Sequence, residues 1–287
     1  MKFLLCIPTL NAAQFLPQFI DSYKRQNLLA KRVLIIDSSS EDNTVELAQE
    51  AGFTIYSIKK EEFNHGLIRN LALNYAEDCE ILVFMTQDAI LADENAFSNL
   101  CSIFEQDKDI AISYGRQLPQ NNATPIEAFA RIFNYGEISL KKTIEDREKL
   151  GIKAVFSSNS FCAYRKSDFV ELGQFPKTNF AEDTILAARA LLAGKAIYYN
   201  SEAKVYHSHD FGFKELWQRY VQIGITHRNT KELSSFLKIH GTGASFAKAE
   251  LNYLWKNQKT AIPKAVINSF VKYFAYQYGY YSKLYKK

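Results

Sequence analysis

Five short apolar runs, at residues 2–7, 32–36, 54–58, 81–85 and 110–113, punctuate the first 115 residues, and none alternates apolar with polar. Successive side chains of a strand point to opposite sheet faces, so a strand with one wet face alternates, and a run without alternation is covered on both sides. Amphipathic stretches lie between the runs. Residues 13–29 gather Phe15, Leu16, Phe19, Ile20 and Tyr23 on one side, and residues 43–51 are opened by Asp42 and stopped by Gly52. Strand runs of this kind separated by helices predict a mostly parallel sheet with helices on each face. A chain of 287 residues that is 47% apolar can bury such a sheet.

Ligands of these sheets gather at the carboxyl ends of the strands, where loops converge and helix N-termini point into the crevice. The strand ends here are polar: Thr9 and Asn11, then Asp37 with Ser38, Ser39 and Ser40, then His65, Gly66 and Arg69, then Asp88. Each alone reads as a turn or a helix cap. Four polar strand ends together read as a binding crevice. Neither GxGxxG nor GxxxxGK[ST] occurs, so a dinucleotide fold and a P-loop are both unsupported.

The four cysteines, Cys6, Cys79, Cys101 and Cys162, form neither a CxxC nor a Cys/His cluster, which argues for a reducing compartment. The N-terminus has too short an apolar run for a signal peptide, and no run approaches the length of a membrane span. A cytoplasmic protein is therefore expected. Charge is uneven: residues 226–287 carry 11 Lys/Arg against 2 Asp/Glu, while the preceding part is net acidic. The change at 226 marks an expected boundary between residues 1–225 and a basic, aromatic-rich helical region, 226–287.

IPTLNA, VLIIDSSSEDNT, FNHGLIRN and VFMTQDA, followed by FCAYRKSDFVELGQF, FAEDTILAARALLAG and AKVYHSH, resemble the successive motifs of family 2 inverting glycosyltransferases. The likeness spans about residues 3–228. It implies a GT-A fold, a nucleotide-binding sheet flanked by helices with a helical C-terminal extension, in which residues 1–115 bind the nucleotide sugar and 116–225 the acceptor. TQDA, FNHG, and HSH followed by RYVQIG look most like bacterial rhamnosyltransferases, which implies dTDP-rhamnose as donor and a surface polysaccharide or lipid-linked glycan as acceptor. A UDP-hexose donor, or a non-catalytic nucleotide-binding subunit, is the alternative.

The resemblance gives Thr9 and Asn11 to the loop under the base and ribose, Asp37 to the nucleoside, and Arg69 to the base or diphosphate. His65, Ser158 and Asn159 fall to the donor and acceptor sugars. Aligned on the family's DxD, Thr86 replaces the first Asp, Gln87 is the middle residue and Asp88 the last, so the metal ligand stays and the ribose partner is lost. One carboxylate and a diphosphate can hold Mg²⁺, which keeps several waters; weak Mg²⁺ or Mn²⁺ binding is expected. His207 and His209 could each face that metal, and the resemblance favours His207. Glu182 and Asp183 occupy the place of the catalytic acids, with Asp183 as the base. A helix N-terminus favours carboxylates and is expected to keep Asp183 ionised.

From Ile267 a stripe of Ile267, Val271, Phe274, Tyr278, Tyr281 and Tyr285 recurs at helical spacing. It predicts either a helix packed on the catalytic domain or, given the net positive charge, one docked on an anionic membrane at the inner face of the cytoplasmic membrane. A homodimer contact through the same tail is the further expectation. No nucleic-acid partner is expected.

Overall fold

The computed structural model describes residues 1–178, 180–237 and 242–282. The apolar runs become strands β1 (Phe3–Thr9), β2 (Arg32–Asp37), β3 (Thr54–Ser57) and β4 (Ile81–Met85), every residue of β4 being buried. β5 (Ile90–Leu91), β6 (Ile110–Leu118), β7 (Leu140–Lys142), β8 (Phe161–Arg165) and β9 (Ala196–Tyr206) complete one nine-stranded sheet. Its order is β3-β2-β1-β4-β8-β6-β9-β5, with β7 on β9.

The parallel arrangement expected for most of the sheet holds for β3-β2-β1-β4. Beyond β4 the direction changes, because β8 runs antiparallel to both β4 and β6, and the sheet as a whole is mixed. A run buried on both faces reads the same in either direction, so direction is silent in the hydrophobic pattern. The reversal has a positional effect. Met85 pairs with Phe161, so the end of β4 lies beside the start of β8. Residues 157–160 thereby reach the edge from which Thr9, Asp37 and Asp88 emerge.

The helices are α1 (Leu16–Lys24), α2 (Thr44–Glu50), α3 (His65–Asn70), α4 (Ala96–Gln106), α5 (Pro125–Asn134), α6 (Arg147–Leu150), α7 (Lys166–Glu171), α8 (Glu182–Leu192), α9 (Phe213–Asn229), α10 (Thr242–Asn257) and α11 (Ile262–Tyr281). The chain divides into two units. The first comprises Met1–Gln117, Glu137–Ile144 and Val155–His207. Its core joins Leu5, Ile7, Val83 and Met85 of the sheet to Leu16 and Phe19 of α1 and to Phe97, Leu100 and Phe104 of α4. Packing of these apolar faces, rather than helix propensity, holds the short α1 in place.

The second unit comprises Leu118–Gly136, Glu145–Ala154 and Ser208–Lys287. Phe129 and Phe133 of α5 pack on Phe246 of α10 at ring distances of 5.3 and 5.0 Å. α9 and α11 meet along small residues. A side chain at Gly224 would collide with the backbone of Tyr276, and one at Gly279 with the Val221 carbonyl. The buried face of α11 is accordingly Ala265, Asn268, Ala275 and Gly279. Of the stripe read from the sequence, Ile267, Phe274, Tyr278 and Tyr281 are exposed, Tyr281 by 72%, and Val271 is half-buried; Phe270, at 60%, and Tyr273 beside them are exposed as well. Tyr285, the last member of that stripe, lies outside the described residues.

Candidate active site

β1 and β2 deliver Thr9 and Asp37 side by side, since they are partners in the parallel register. Thr9 Oγ1 donates to Asp37 Oδ1 at 3.0 Å, and the Ser40 backbone N–H donates to Asp37 Oδ2 at 2.9 Å. Asn11 takes the left-handed conformation (φ 51°), which asparagine tolerates better than most side chains. From there its Oδ1 accepts from the Glu41 N–H at 2.9 Å. The two strand-end loops are thus sewn together around a buried carboxylate.

At the tip of β4, Gln87 binds the Leu10 backbone twice: its Oε1 accepts from the Leu10 N–H at 2.8 Å and its Nε2 donates to the Leu10 carbonyl at 3.1 Å. This side chain clamps the β1 loop to the β4 loop. Thr86 Oγ1 is buried and makes no hydrogen bond among the described residues. A buried hydroxyl is costly to leave unpaired, so a ligand or water donor is the natural partner.

Asp88 lies 3.4 Å, Oδ2 to Nε2, from His207, which follows β9. Ligands at adjacent corners of an octahedron about 2.1 Å from its centre stand about 3 Å apart, so this pair is spaced to share one divalent ion. The donor set of one carboxylate and one imidazole suits Mn²⁺ better than Mg²⁺. His207 stands beside Asp88 within the first unit. His209 belongs to the second unit, where its ring lies 5.3 Å from Phe211.

The second pair of acids opens α8. Glu182 Oε1 lies 3.2 Å from Arg69 Nη1 and accepts from Asn159 Nδ2 at 2.9 Å, with Arg69 and Glu182 side chains only 4% and 8% exposed. Arg69 Nη1 also donates to the His65 carbonyl at 2.9 Å and stands 3.2 Å from His65 Nδ1. Nη1 of the guanidinium is therefore held inside the protein, while its buried Nε makes no hydrogen bond among the described residues. α3 can seat it because Gly66 leaves room: a Cβ there would strike the Pro176 carbonyl oxygen.

Asp183 Oδ2 accepts from the Asn159 N–H at 3.1 Å, and its Oδ1 from the Thr184 N–H at 2.7 Å. Burial first, then repulsion by Glu182, pushes its carboxyl up to about 6, against the pull of the two N–H groups and of Arg69. The ionised carboxylate expected at a helix start is kept at neutral pH, but its carboxyl stands higher than the dipole alone would leave it. Removal from water outweighs the dipole. A carboxyl near 6 accepts a proton better than an ordinary Asp and is still mostly ionised at neutral pH. The residue that opens this turn, Ala181, is left-handed (φ 60°), a conformation that costs a non-glycine residue about 1 kcal/mol or more and clusters at functional sites.

Residues 158–160 connect the two pairs. Asn159 touches both Glu182 and Asp183, while Ser160 Oγ stands 3.5 Å from His207 Nε2. Two participants escape a reading of the sequence. Tyr164 anchors Asn159 by donating to its Oδ1 at 2.8 Å, and Gln117 meets His207 Nδ1 at 2.9 Å. Only the pairing of β8 with β4 and β6 brings these residues to the site, and no local motif marks them.

The profile described as "Glycosyl transferase family 2" matches residues 4–173. The chain is 43% identical over 282 residues to the O-antigen chain rhamnosyltransferase RfbN of Salmonella typhimurium (strain LT2), covering 97% of this chain and 90% of that one. It is 42% identical over 281 residues to the O-antigen chain rhamnosyltransferase WbaN of Salmonella anatum, covering 97% and 89%. Among solved structures, the mannosyltransferase PcManGT from Pyrobaculum calidifontis, in complex with GDP-Man and Mn²⁺, superposes with a TM-score of 0.65 at 14% identity, over 98% of this chain and 88% of that one. This last likeness shows the fold, which is GT-A.

Proposed function

The chain belongs to glycosyl transferase family 2, and from that premise we propose that this glycosyltransferase transfers rhamnose from dTDP-rhamnose, with inversion, to a lipid-linked glycan that becomes surface polysaccharide. The observation that carries the reading is the segment 158–160, which ties an Asp–His pair fit for a divalent ion to an Asp fit to be a base. Both relatives are rhamnosyltransferases by name and match nearly the whole chain. Thr86 in place of a first carboxylate suits a deoxyribose, which offers one hydroxyl fewer. In functional terms we assign residues 1–115 to the donor, 116–225 to the acceptor and 226–287 to attachment.

In this reading the acceptor hydroxyl lies against Asp183. As its oxygen attacks the anomeric carbon, the bond from that carbon to the β-phosphate oxygen breaks, and the hydroxyl proton passes to Asp183. Asn159 and Thr184 hold both carboxylate oxygens so that a lone pair stays aimed at the acceptor. Glu182, neutralised by Arg69, keeps α8 docked. Asp88 and His207 would hold the divalent cation, which when bound neutralises charge on the departing diphosphate. Thr9, Asn11 and Asp37 line the nucleoside end, and Ser158 with His65 the sugar end.

Thermal melting with a panel of nucleotides tests the donor. At about 100 times its dissociation constant a ligand adds ~2.7 kcal/mol of stability, and dTDP-rhamnose with Mn²⁺ is expected to raise the melting temperature more than any UDP-hexose. Asp88→Ala should abolish the Mn²⁺-dependent part of that rise and leave the metal-independent part. A larger shift with a UDP-hexose would overturn the donor, and an unchanged Asp88→Ala response would overturn the metal site.

We propose further that the outward face of α11 rests on the anionic inner face of the cytoplasmic membrane, near a lipid-borne acceptor. Among the described residues no helix is long and apolar enough to cross a membrane. The exposed side chains are the Tyr and Phe types that favour the interface, and residues 258–287 hold six lysines and no acidic residue. Sedimentation with phosphatidylglycerol vesicles should pull the protein down at low salt, less at high salt, and much less for Phe270→Ser/Phe274→Ser. Failure to sediment, with a dimer in ultracentrifugation that the same double substitution dissociates, would assign the face to a second copy of the chain.

A further inference from the structure

Gln117, 2% exposed near the end of β6, meets His207 at Nδ1, the ring nitrogen away from Asp88's contact. Its Nε2 donates to Ser158 Oγ at 2.9 Å. The single proton of that hydroxyl is directed to Ser160 Oγ at 3.3 Å, so Ser158 offers Gln117 only lone pairs. The amide edge facing Ser158 must then be NH₂. The carbonyl edge is left for His207, 2.9 Å from Nδ1, and a carbonyl oxygen can meet that nitrogen favourably only if it bears hydrogen.

A neutral imidazole protonated on Nδ1 has its lone pair on Nε2. That nitrogen faces Asp88 Oδ2 at 3.4 Å. Two lone pairs turned toward each other over this distance repel, and the repulsion disappears when a cation takes both. We propose that Gln117 is a positioning residue, which locks His207 in the Nδ1–H tautomer and so presents Nε2 as a metal ligand. This rests on the reading of Asp88 and His207 as the metal pair. Partners of this kind, bonded to the far nitrogen of a ligating histidine, alter metal affinity by about 10- to 100-fold when removed.

The tautomer can be read without metal or substrate. In protein labelled with ¹⁵N-histidine, at a pH where the ring is neutral, long-range proton–nitrogen correlation distinguishes Nδ1–H from Nε2–H, and His207→Asn identifies the signal. The wild type is expected to show Nδ1–H. Gln117→Met, which keeps the volume and removes the acceptor, should move His207 toward Nε2–H, with that proton given to Asp88. Mn²⁺ affinity measured by calorimetry should weaken by about 10- to 100-fold. Gln117→Glu, which restores an acceptor, should recover both. A wild-type Nε2–H signal overturns the proposal whatever the variants do. So does a Gln117→Met protein with unchanged tautomer and Mn²⁺ affinity within about twofold of wild type. A wild type that shows Nδ1–H yet binds no Mn²⁺ leaves the tautomer assignment standing and overturns the metal pair on which its purpose depends.

Discussion

Asp183→Asn is expected to lower kcat by about 10³-fold at pH 7.5, since general-base catalysis contributes ~10²–10⁴, while the donor still raises the melting temperature as in the wild type. The substitution keeps the shape of the side chain and removes its capacity to take a proton. One cost is foreseeable: Asp183 accepts from two backbone N–H groups, of Asn159 and Thr184. An amide can accept at one edge only and must turn NH₂ toward the other donor. That mismatch is worth roughly 1–3 kcal/mol, so the assay belongs well below the melting temperature. The pH dependence separates a base from a structural residue. With its carboxyl near 6, kcat/KM of the wild type should fall as pH drops through about 6, and the residual activity of the Asn variant should not. The stability linkage has the opposite sign. A carboxyl raised in the folded state binds its proton more tightly there than in the unfolded chain, so this site favours folding increasingly as pH falls from 7 through 6, and the penalty returns as pH rises. If turnover by the Asn variant stays within tenfold of wild type, the base lies elsewhere.

The second large effect concerns Arg69 and Glu182. Arg69→Met should destabilise the protein by about 3–5 kcal/mol, because it strands a carboxylate that has almost no contact with water. Glu182→Gln should cost less: Arg69 retains the His65 carbonyl, and Gln can still accept from Asn159. The double variant should be more stable than the sum of its parts predicts, which urea denaturation of the four proteins in a cycle would reveal. Additivity within about 0.5 kcal/mol would mean that the two groups do not interact as a pair. The cycle also bears on the diphosphate. A guanidinium committed to Glu182 holds α3 against α8, and donor affinity of the folded Arg69→Met protein should then change little. A large loss of affinity would return Arg69 to the donor.

Much of the parallel part of the sheet is legible because burial on both faces writes itself into β1, β2 and β4 as unbroken apolar runs, and because polar residues of the candidate site lie directly at the ends of those runs. Asp37, Thr9 and Asp88 are found this way. The rest of the candidate site is less legible for physical reasons. Arg69 and Glu182 are far apart in the chain, and nothing local to either reveals the other. The upward shift of the Asp183 carboxyl is not legible, since the helix start is visible in the sequence whereas the depth of its surroundings is not. α11 misleads in another manner: large aromatic residues dominate its pattern, yet a helix can also pack through residues too small to register as hydrophobic. Gln117 and Tyr164 sit in ordinary strand sequence and gain their roles only from what the sheet sets beside them.

The small-residue seam between α9 and α11 makes one helix answer to two unlike requirements. At Gly224 and Gly279 the tolerance is set by steric room, since a single added carbon at either meets backbone of the facing helix. Along Ile267, Phe270, Phe274 and Tyr281 no such limit operates, and what is asked is an affinity for whatever lies outside. The inward face is a matter of fit and the outward one a matter of composition. Substitutions that preserve aromatic character can therefore drift around the outside of α11 without touching the fold, so that the outer face of the helix can change independently of its packing.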